Sequence, residues 1–593
     1  MFYNNRNEID LKYKWKLEDI FSSDKAWDTE FNALNKDCEK INTFKGKLKT
    51  KETILKCLKK RDEIDKRIYK VYAYAYMRYC ENAKEAKYQQ AYAKAGTLAT
   101  KISSICSFIR PELSKLNEKT LNSIIKDKKF SDYDYMLSIV LKGKKHTLTE
   151  SEEKIFASAS NVVRGFHDAF EVLDSSELDF GSILVRGKQT PLSHGTYSVL
   201  LQDSDQRVRR AAFETYYKPF IKQINTIGTI YASNVKATWW EAQARGFKSS
   251  LDQALFYEDV NSKVYKNLID SVNSSFKPLH EYVALRKEIL GLKQLNMYDM
   301  YVPIVANAEL SLDFEEAKKV VLEGLKPLGN DYIDLLKGAM QNRWIDVYEN
   351  AGKRSGAFSY GVPGVHPFIL LNYQKTTHDV FTLAHELGHS IHSYYSSKEQ
   401  PYAKSDYTIF VAEVASTVNE MLLIKYLLNK ETDTNIRKFL LSYYLDSIRT
   451  TMYRQTMFAE FEQITHDIVE KGEPLTSERM CDEYYALNKK YYGPAVEHNN
   501  EIRYEWARIP HFYNDFYVYK YATGITSAVV ISELILRDGE SAVKKYKKFL
   551  ASGSSTDPVS ELKIAGVDLT SKEPFEILAK SFKETLKELK KLV

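Results

Sequence analysis

Thr382-Leu-Ala-His-Glu-Leu-Gly-His-Ser-Ile-His-Ser-Tyr-Tyr395 decides how this chain is read. Leu383, Ala384, Leu387, Ile391 and Tyr394 recur at helical spacing and no proline interrupts them, so the stretch predicts a helix. On that helix His385 and His389, four residues apart, project from one face. Two imidazoles so placed can grip one metal ion at about 2.0–2.1 Å each. Glu386 lies at the edge of the same face, where its carboxylate can take the proton of a water at the metal. Gly388 leaves room for another backbone or a ligand to come close.

A hydrolytic zinc site usually takes three protein ligands. Glu413 is the candidate for the third. It lies in Thr408–Leu428, a strongly apolar run whose only acids are Glu413 and Glu420. Read as one helix, these two are seven residues apart and share a face. Ionised carboxylates are costly on so apolar a helix unless they meet a cation or good donors. Glu413 on the metal and Glu420 on the free N–H of a liganding histidine would explain both; pairing with Lys or Arg from elsewhere is the alternative. His392 shares the face of His385 one turn further on, and reads as a hydrogen-bonded supporting residue or a structural histidine. Asp379 either orients a ligand or favours the helix N-terminus. The spacing leaves His366 and His378 without a role.

The rest of the chain sets the frame. Its 593 residues are 44% hydrophobic and 28% charged, which describes a globular protein with ample core. A net charge of +6 is small for that many ionisable groups, and the one basic stretch, Lys580–Lys591, reads as a solvated helix face. No nucleic-acid partner is therefore expected. Five scattered cysteines without a C-x-x-C pair suggest free thiols in a reducing compartment. The polar N-terminus lacks a signal core, and no apolar stretch is long enough to span a bilayer, so a cytoplasmic protein without membrane contact is expected.

Asp24–Phe44, Lys51–Asn82, Glu85–Ile109 and Glu150–Leu173 read as helices, nearly free of Gly and Pro. Tyrosines 69, 72, 74, 76 and 79 read as packing between helices. Leu178–Leu201, broken by Gly181, Gly187, Pro191 and Gly195, reads as a hairpin or irregular connector. Gly356–Tyr373 is the clearest strand-bearing region, with a Gly-Val-Pro-Gly turn between two short apolar runs. The expectation is a mainly α fold with one small β-sheet beside the metal helix. Its regions are an N-terminal helical part (1–115), a helical and hairpin connector (116–204) and a catalytic part (205–593).

The motifs His385-Glu-Leu-Gly-His389 and Phe410-Val-Ala-Glu-Val-Ala-Ser-Thr-Val-Asn-Glu420 together resemble the thimet-oligopeptidase-like zinc peptidases, closest to the oligoendopeptidase F branch. Lys353-Arg-Ser-Gly-Ala-Phe-Ser-Tyr360, Ile369-Leu-Leu-Asn372, Arg508-Ile-Pro-His511-Phe-Tyr and Phe516-Tyr-Val-Tyr-Lys-Tyr-Ala-Thr-Gly524 extend the likeness over essentially the whole chain. The resemblance implies two helical lobes flanking a deep substrate channel. It implies one Zn2+ on His385, His389 and Glu413, with Glu386 as general base and Glu420 and His392 in support. It further implies oxyanion stabilisation from the segment Pro510–Gly524, with Tyr519 first, then His511, and Tyr513 and Tyr517 as rivals that would also touch substrate. The Gly-Gly-Tyr spacing of the mammalian members is missing between His511 and Tyr519, so the choice of tyrosine stays open. Ala357, Phe358, Ser359 and Tyr360 would bind extended peptide backbone along a strand edge.

The reading is a zinc endopeptidase acting on oligopeptides, as a monomer or homo-oligomer. Two rivals stand beside it. A metallocarboxypeptidase would need a cation fixing the substrate C-terminus, and the sequence assigns none. A helical peptide-binding scaffold with a decayed site would have no reason to keep His385, Glu386, His389 and Glu413 together.

Overall fold

Helix-forming runs free of Gly and Pro dominate the chain, and in the computed structural model 71% of the protein is helical, with only small sheets. The structure describes residues 2–305, 308 and 310–593. They fold as two compact units, each built from three chain segments. The first comprises Met1–Lys145, Glu309–Asn429 and Ile531–Val567; the second comprises His146–Ala308, Lys430–Val530 and Asp568–Val593.

In the first unit, helix α1 (Lys51–Glu81) starts where Thr50 caps it by accepting from Thr53 N–H. It buries Ile54, Leu58, Ile64, Val71 and Met77. Helix α2 (Ala86–Cys106) packs against it. The tyrosine stripe of α1 is used in this packing: Tyr72 shares a hydroxyl hydrogen bond of 3.0 Å with Tyr92, and Tyr76 lies 5.6 Å from Phe358. Each large apolar side chain buried here is worth about 1.5–3 kcal/mol.

The small sheet closes this core. Strand β1 (Ile345–Asp346) runs parallel to β3 (Phe368–Leu370), and β2 (Phe358–Tyr360) pairs antiparallel to β3 on its other side. Phe358 faces Leu370 and Tyr360 faces Phe368 in the register. Strand β3 is fully buried, whereas β2 forms an edge. The strand region expected from sequence is therefore present, and β1 is an addition to it. A two-residue strand is too short to carry a period.

Buried charge ties the N-terminal arm to this sheet. Asp346, 1% exposed, accepts from Lys353 Nζ at 2.7 Å and from Arg6 Nη1 at 3.0 Å. Lys353 Nζ also donates to the Tyr348 carbonyl at 2.7 Å. Burial alone would raise the Asp346 pKa, but the two cations outweigh it and hold the carboxyl at about 2.

Helix α3 (Thr377–Glu399) begins at a capping box. Thr376 Oγ1 accepts from Asp379 N–H at 3.2 Å while Asp379 Oδ2 accepts from Thr376 N–H at 2.9 Å. This settles Asp379 as a helix-start residue. The apolar run after residue 408 differs from the single helix expected. It breaks at Glu413 into Ile409–Ala412 and α4 (Val414–Lys430). Glu413, at φ −84 and ψ −3, ends the short helix, and its carbonyl accepts from Thr417 N–H at 3.1 Å to start α4.

The second unit is also helical. Ser182–Val185 and Lys188–Pro191 form the hairpin in the connector, turning at Arg186 and Gly187, both with positive φ. Thr434–Ile448 continues through a π-helical turn, Arg449–Tyr453, into Arg454–Glu470. All five cysteines are unpaired, as expected. No helix among the described residues is long and apolar enough to cross a membrane.

Replacing Lys353 by Met leaves Asp346 buried with Arg6 as its main cation. We expect a loss of about 3–5 kcal/mol in the stability of the first unit, read as a lowered denaturant midpoint. Because the folded pKa of Asp346 lies below its ordinary value, its contribution is present above the usual carboxylate range. It is lost as pH falls through about 2. The Lys353→Met protein should therefore show a shallower acid dependence than the parent.

Candidate metal centre

Gly388 is where α3 meets the start of α4. A Cβ added there would fall 2.6 Å from the carbonyl oxygen of Ala415 and 2.6 Å from Ser416 Cα, so only glycine permits the approach. One turn away, buried Asn419 donates from Nδ2 to the Ala384 carbonyl at 3.0 Å and accepts from Tyr332 OH at 3.0 Å. The two backbones are thus clamped, and the clamp carries Glu413 to the histidines of α3.

His385 Nε2, His389 Nε2 and Glu413 Oε2 form a triangle. Its sides are 3.2 Å between the imidazoles, and 3.2 and 3.3 Å from the carboxylate to His385 and His389. These three residues are the group among the described residues whose ligand atoms converge closely enough to hold an ion. Ligands at about 2.0–2.1 Å in a tetrahedron stand about 3.3–3.4 Å apart. The triangle matches that edge length, so the donor set fits a tetrahedral ion with one position left over.

The surrounding groups fit the same use. His385 Nδ1–H donates to Glu420 Oε1, which fixes the ring so that Nε2 faces the other two groups and becomes an electron-pair donor once its proton is displaced. Burial opposes charge on His385, but Glu413 and Glu420 outweigh it and push the imidazole up to about 10 in the chain alone. Glu413 likewise lies well below the usual carboxylate range, because the two histidines overcome the cost of its burial. Ser416 Oγ supports it with a bond of 3.2 Å to Oε2. Glu386 is 7% exposed, and its buried Oε2 has no hydrogen-bond partner among the described residues. Burial raises its pKa, which suits a group that must accept a proton near neutrality.

His392 lies one turn beyond, stacked on the Tyr407 ring at 3.7 Å and near Phe549. Burial drives it down to about 3, so it is neutral. The strand edge is joined to α3 directly, since Ser359 Oγ and Ser390 Oγ lie 2.7 Å apart. Ala357, Phe358 and Tyr360 are half-buried, with Phe358 and Tyr360 packed against aromatic side chains of α1. His366 is pinned between the Trp344 ring and Asp19, a structural setting.

Tyr519, His511, Tyr513 and Tyr517 belong to the second unit. Tyr519 is buried and its hydroxyl donates to Glu258 at 2.8 Å. Tyr513 stacks on Phe170 at 4.4 Å, and its hydroxyl is buried without a partner among the described residues. His511 is exposed; its Nε2 lies 3.2 Å from Tyr521 OH, and the Tyr517 ring lies alongside at 6.1 Å. Tyr521 and Glu258 were not singled out by sequence. With 42 tyrosines in the chain, a tyrosine carries little signal. Glu258 lies 261 residues from its partner, so only the fold reveals it.

The sequence profile of Peptidase family M3 matches residues 199–580, and that of Oligopeptidase F matches residues 112–180. Oligopeptidase PepF of Bacillus subtilis is 41% identical over 99% of this chain and 88% of its own length. An oligoendopeptidase F homolog of Borreliella burgdorferi is 38% identical over 99% of both. A crystal structure from Chlamydophila abortus aligns over 100% of both chains with a TM-score of 0.94 and 33% identity. Oligoendopeptidase-F from Enterococcus faecium aligns over 96% of this chain and 99% of its own, with a TM-score of 0.74 and 33% identity.

Two outcomes follow from this geometry. Gly388→Ala should abolish stoichiometric metal binding while the helical circular dichroism signal remains; full metal content in that variant would refute the clamp. Because His385 is raised to about 10, the chain alone carries its proton at neutral pH, and the stabilisation this gives is lost as pH rises through about 10. A metal must displace that proton. Calorimetry of ion binding at pH 8 in buffers of different ionisation heat should report about one proton released, and affinity should fall as pH falls.

Proposed function

This chain belongs to peptidase family M3 as a metallo-endopeptidase of the oligoendopeptidase F branch, and on that premise we propose that it cleaves internal bonds of short oligopeptides in the cytoplasm, using one Zn2+ on His385, His389 and Glu413 with Glu386 as general base. The observation that carries the reading is the three-atom triangle of 3.2–3.3 Å sides, with the unpartnered carboxylate oxygen of Glu386 on the same helix. Two imidazoles and a carboxylate suit zinc among the common divalent ions.

When bound, Zn2+ supplies a Lewis acid that lowers the pKa of water and polarises a peptide carbonyl. The chain's own residues do the rest. Glu386 takes the proton of the attacking water at its free oxygen, then delivers it to the leaving amine. The raised pKa of this buried carboxyl brings its proton affinity nearer to that of both partners. Glu420 keeps His385 in the tautomer that presents Nε2. His392 is neutral and buried, and supports the helix carrying both ligands by packing on Tyr407.

The edge strand β2, with Ala357 before it, offers backbone groups to an extended peptide without reading its side chains. On the oxyanion side we keep Tyr519 and His511 as donors, with Tyr513 and Tyr517 as further contacts. Tyr519 would have to exchange its bond to Glu258 for one to substrate. His511 stands exposed, and burial of its surroundings lowers its pKa, so it acts as a neutral donor.

Bound zinc and hydrolysis of an internally quenched peptide test the assignment in the parent and in Glu386→Gln. Near-stoichiometric metal is expected in both proteins, with the rate falling about 10²–10⁴-fold in the variant. Full activity in Glu386→Gln sinks the mechanism, and a parent without metal sinks the site. Chelation should abolish activity and added Zn2+ should restore it.

A further inference from the structure

Within the second unit, Arg449, Arg454 and Arg508 line one cavity of about 710 Å³, together with Asp446, Tyr301 and His511. The charges around it do not balance. Asp446 is shared by Arg449 (Nε to Oδ1, 2.9 Å) and Arg286 (Nη1 to Oδ2, 3.1 Å). Glu505 is shared by Arg454 (2.6 Å) and Arg508 (3.0 Å), both on Oε1. Four guanidiniums thus meet two carboxylates, and Arg286, Arg449 and Glu505 are each at least 95% buried. Arg454 and Arg508 keep 15% and 19% of their side chains exposed, so the excess charge is part-buried and open to an anionic ligand that would relieve it.

Donors are left over as well. Arg449 is 1% exposed, yet its Nη1 has no hydrogen-bond partner among the described residues. Arg454 makes a single hydrogen bond there, to Glu505. Each guanidinium carbon lies over an aromatic ring: Arg449 over Tyr301 at 5.2 Å, Arg454 over Phe458 at 4.4 Å, and Arg508 over Tyr197 at 5.7 Å. A cation–π contact of this kind helps to hold a guanidinium in place, and N–H groups it does not use can meet a planar anion.

The backbone is shaped to the same end. Residues five apart on an α-helix diverge by about 140°. Here the N–H of Arg454 bonds to the carbonyl of Arg449, closing the π-helical turn Arg449–Tyr453. The wider turn brings both arginines to one cavity. Such turns are rare and concentrate at functional sites.

We propose that this cavity is an anion subsite that takes a carboxylate of the peptide, either the C-terminal group or an acidic side chain. The inference rests on the peptidase reading above and deepens it by naming a feature of the substrate. It applies to binding, so it is tested apart from turnover.

The test uses the full-length Glu386→Gln protein loaded with zinc, and three versions of one peptide without other acidic groups. These are the free acid, the C-terminal amide, and the amide with one neutral residue near its C-terminus changed to Glu. Calorimetry should show the free acid or the Glu-bearing amide binding about tenfold more tightly than the plain amide, and which of the two does so identifies the source of the carboxylate. Adding Arg454→Gln should remove the difference while leaving affinity for the plain amide unchanged. On the protein with Glu386 intact, the same preference should appear in KM more than in kcat. Equal affinity for all three peptides overturns the proposal, and that comparison needs no arginine variant to fold. A preference that survives both Arg454→Gln and Arg508→Gln also overturns it. Failure of the peptidase reading would look different, since no peptide would then bind or be cleaved.

Discussion

The approach of α4 to α3 at Gly388 is the constraint on which the rest of the site depends. Helices usually pack 8–10 Å apart because side chains separate them. Here the backbone of Ala415 and Ser416 sits where a Cβ would be. A carboxylate side chain is short, and only this proximity allows Glu413 to place Oε2 within 3.3 Å of both imidazole nitrogens. The break at Glu413 serves the same end. By ending the short helix at this residue, the chain sets that carboxylate at the positive end of α4 while the helix beyond it continues past Glu420. One glycine and one irregular residue thus convert two unremarkable helices into a convergent donor set.

The two units handle buried charge in contrasting ways. Around Asp346 the lysine and arginine donors are taken up: the carboxylate meets Lys353 and Arg6, Arg6 also reaches Glu81, and backbone carbonyls take the remaining lysine donors. Such a cluster holds strands together and invites no ligand. Around Arg449, Arg454 and Arg508, beside a cavity, Arg449 Nη1 has no hydrogen-bond partner among the described residues. The two clusters differ in this unmet hydrogen-bonding capacity.

Much of this was legible in sequence. The helix over 382–395 followed from its apolar spacing, and His385 and His389 shared a face for the same reason. Gly388 stood out as a place of close approach. Glu413 and Glu420 were visible because acids are expensive on an apolar helix. The strands at 358–360 and 368–370 announced themselves through the intervening turn. What escaped notice has no local signature. The strand Ile345–Asp346 is defined by its partner, and the interruption at Glu413 lies inside an unbroken apolar pattern. The π turn at Arg449–Tyr453 is a change in winding that no residue type marks. The pairing of Tyr519 with Glu258 joins residues far apart in the chain. Aromatic abundance hid the downstream segment further, because tyrosines used for packing and tyrosines used for chemistry look alike until their neighbours are known.

The short bridge between Ser359 on β2 and Ser390, the residue after His389, has a consequence for where a peptide would be cut. It makes the strand edge and the helix of His385 and His389 a common ruler. An extended chain lying on such an edge repeats its hydrogen bonding every two residues, about 6.6 Å along the strand. It can therefore slip past the ruler only in steps of two without losing backbone pairing. Heterogeneous cutting of a featureless peptide would then appear as a ladder spaced by two residues, a rhythm set by the backbone and independent of which side chains the peptide carries.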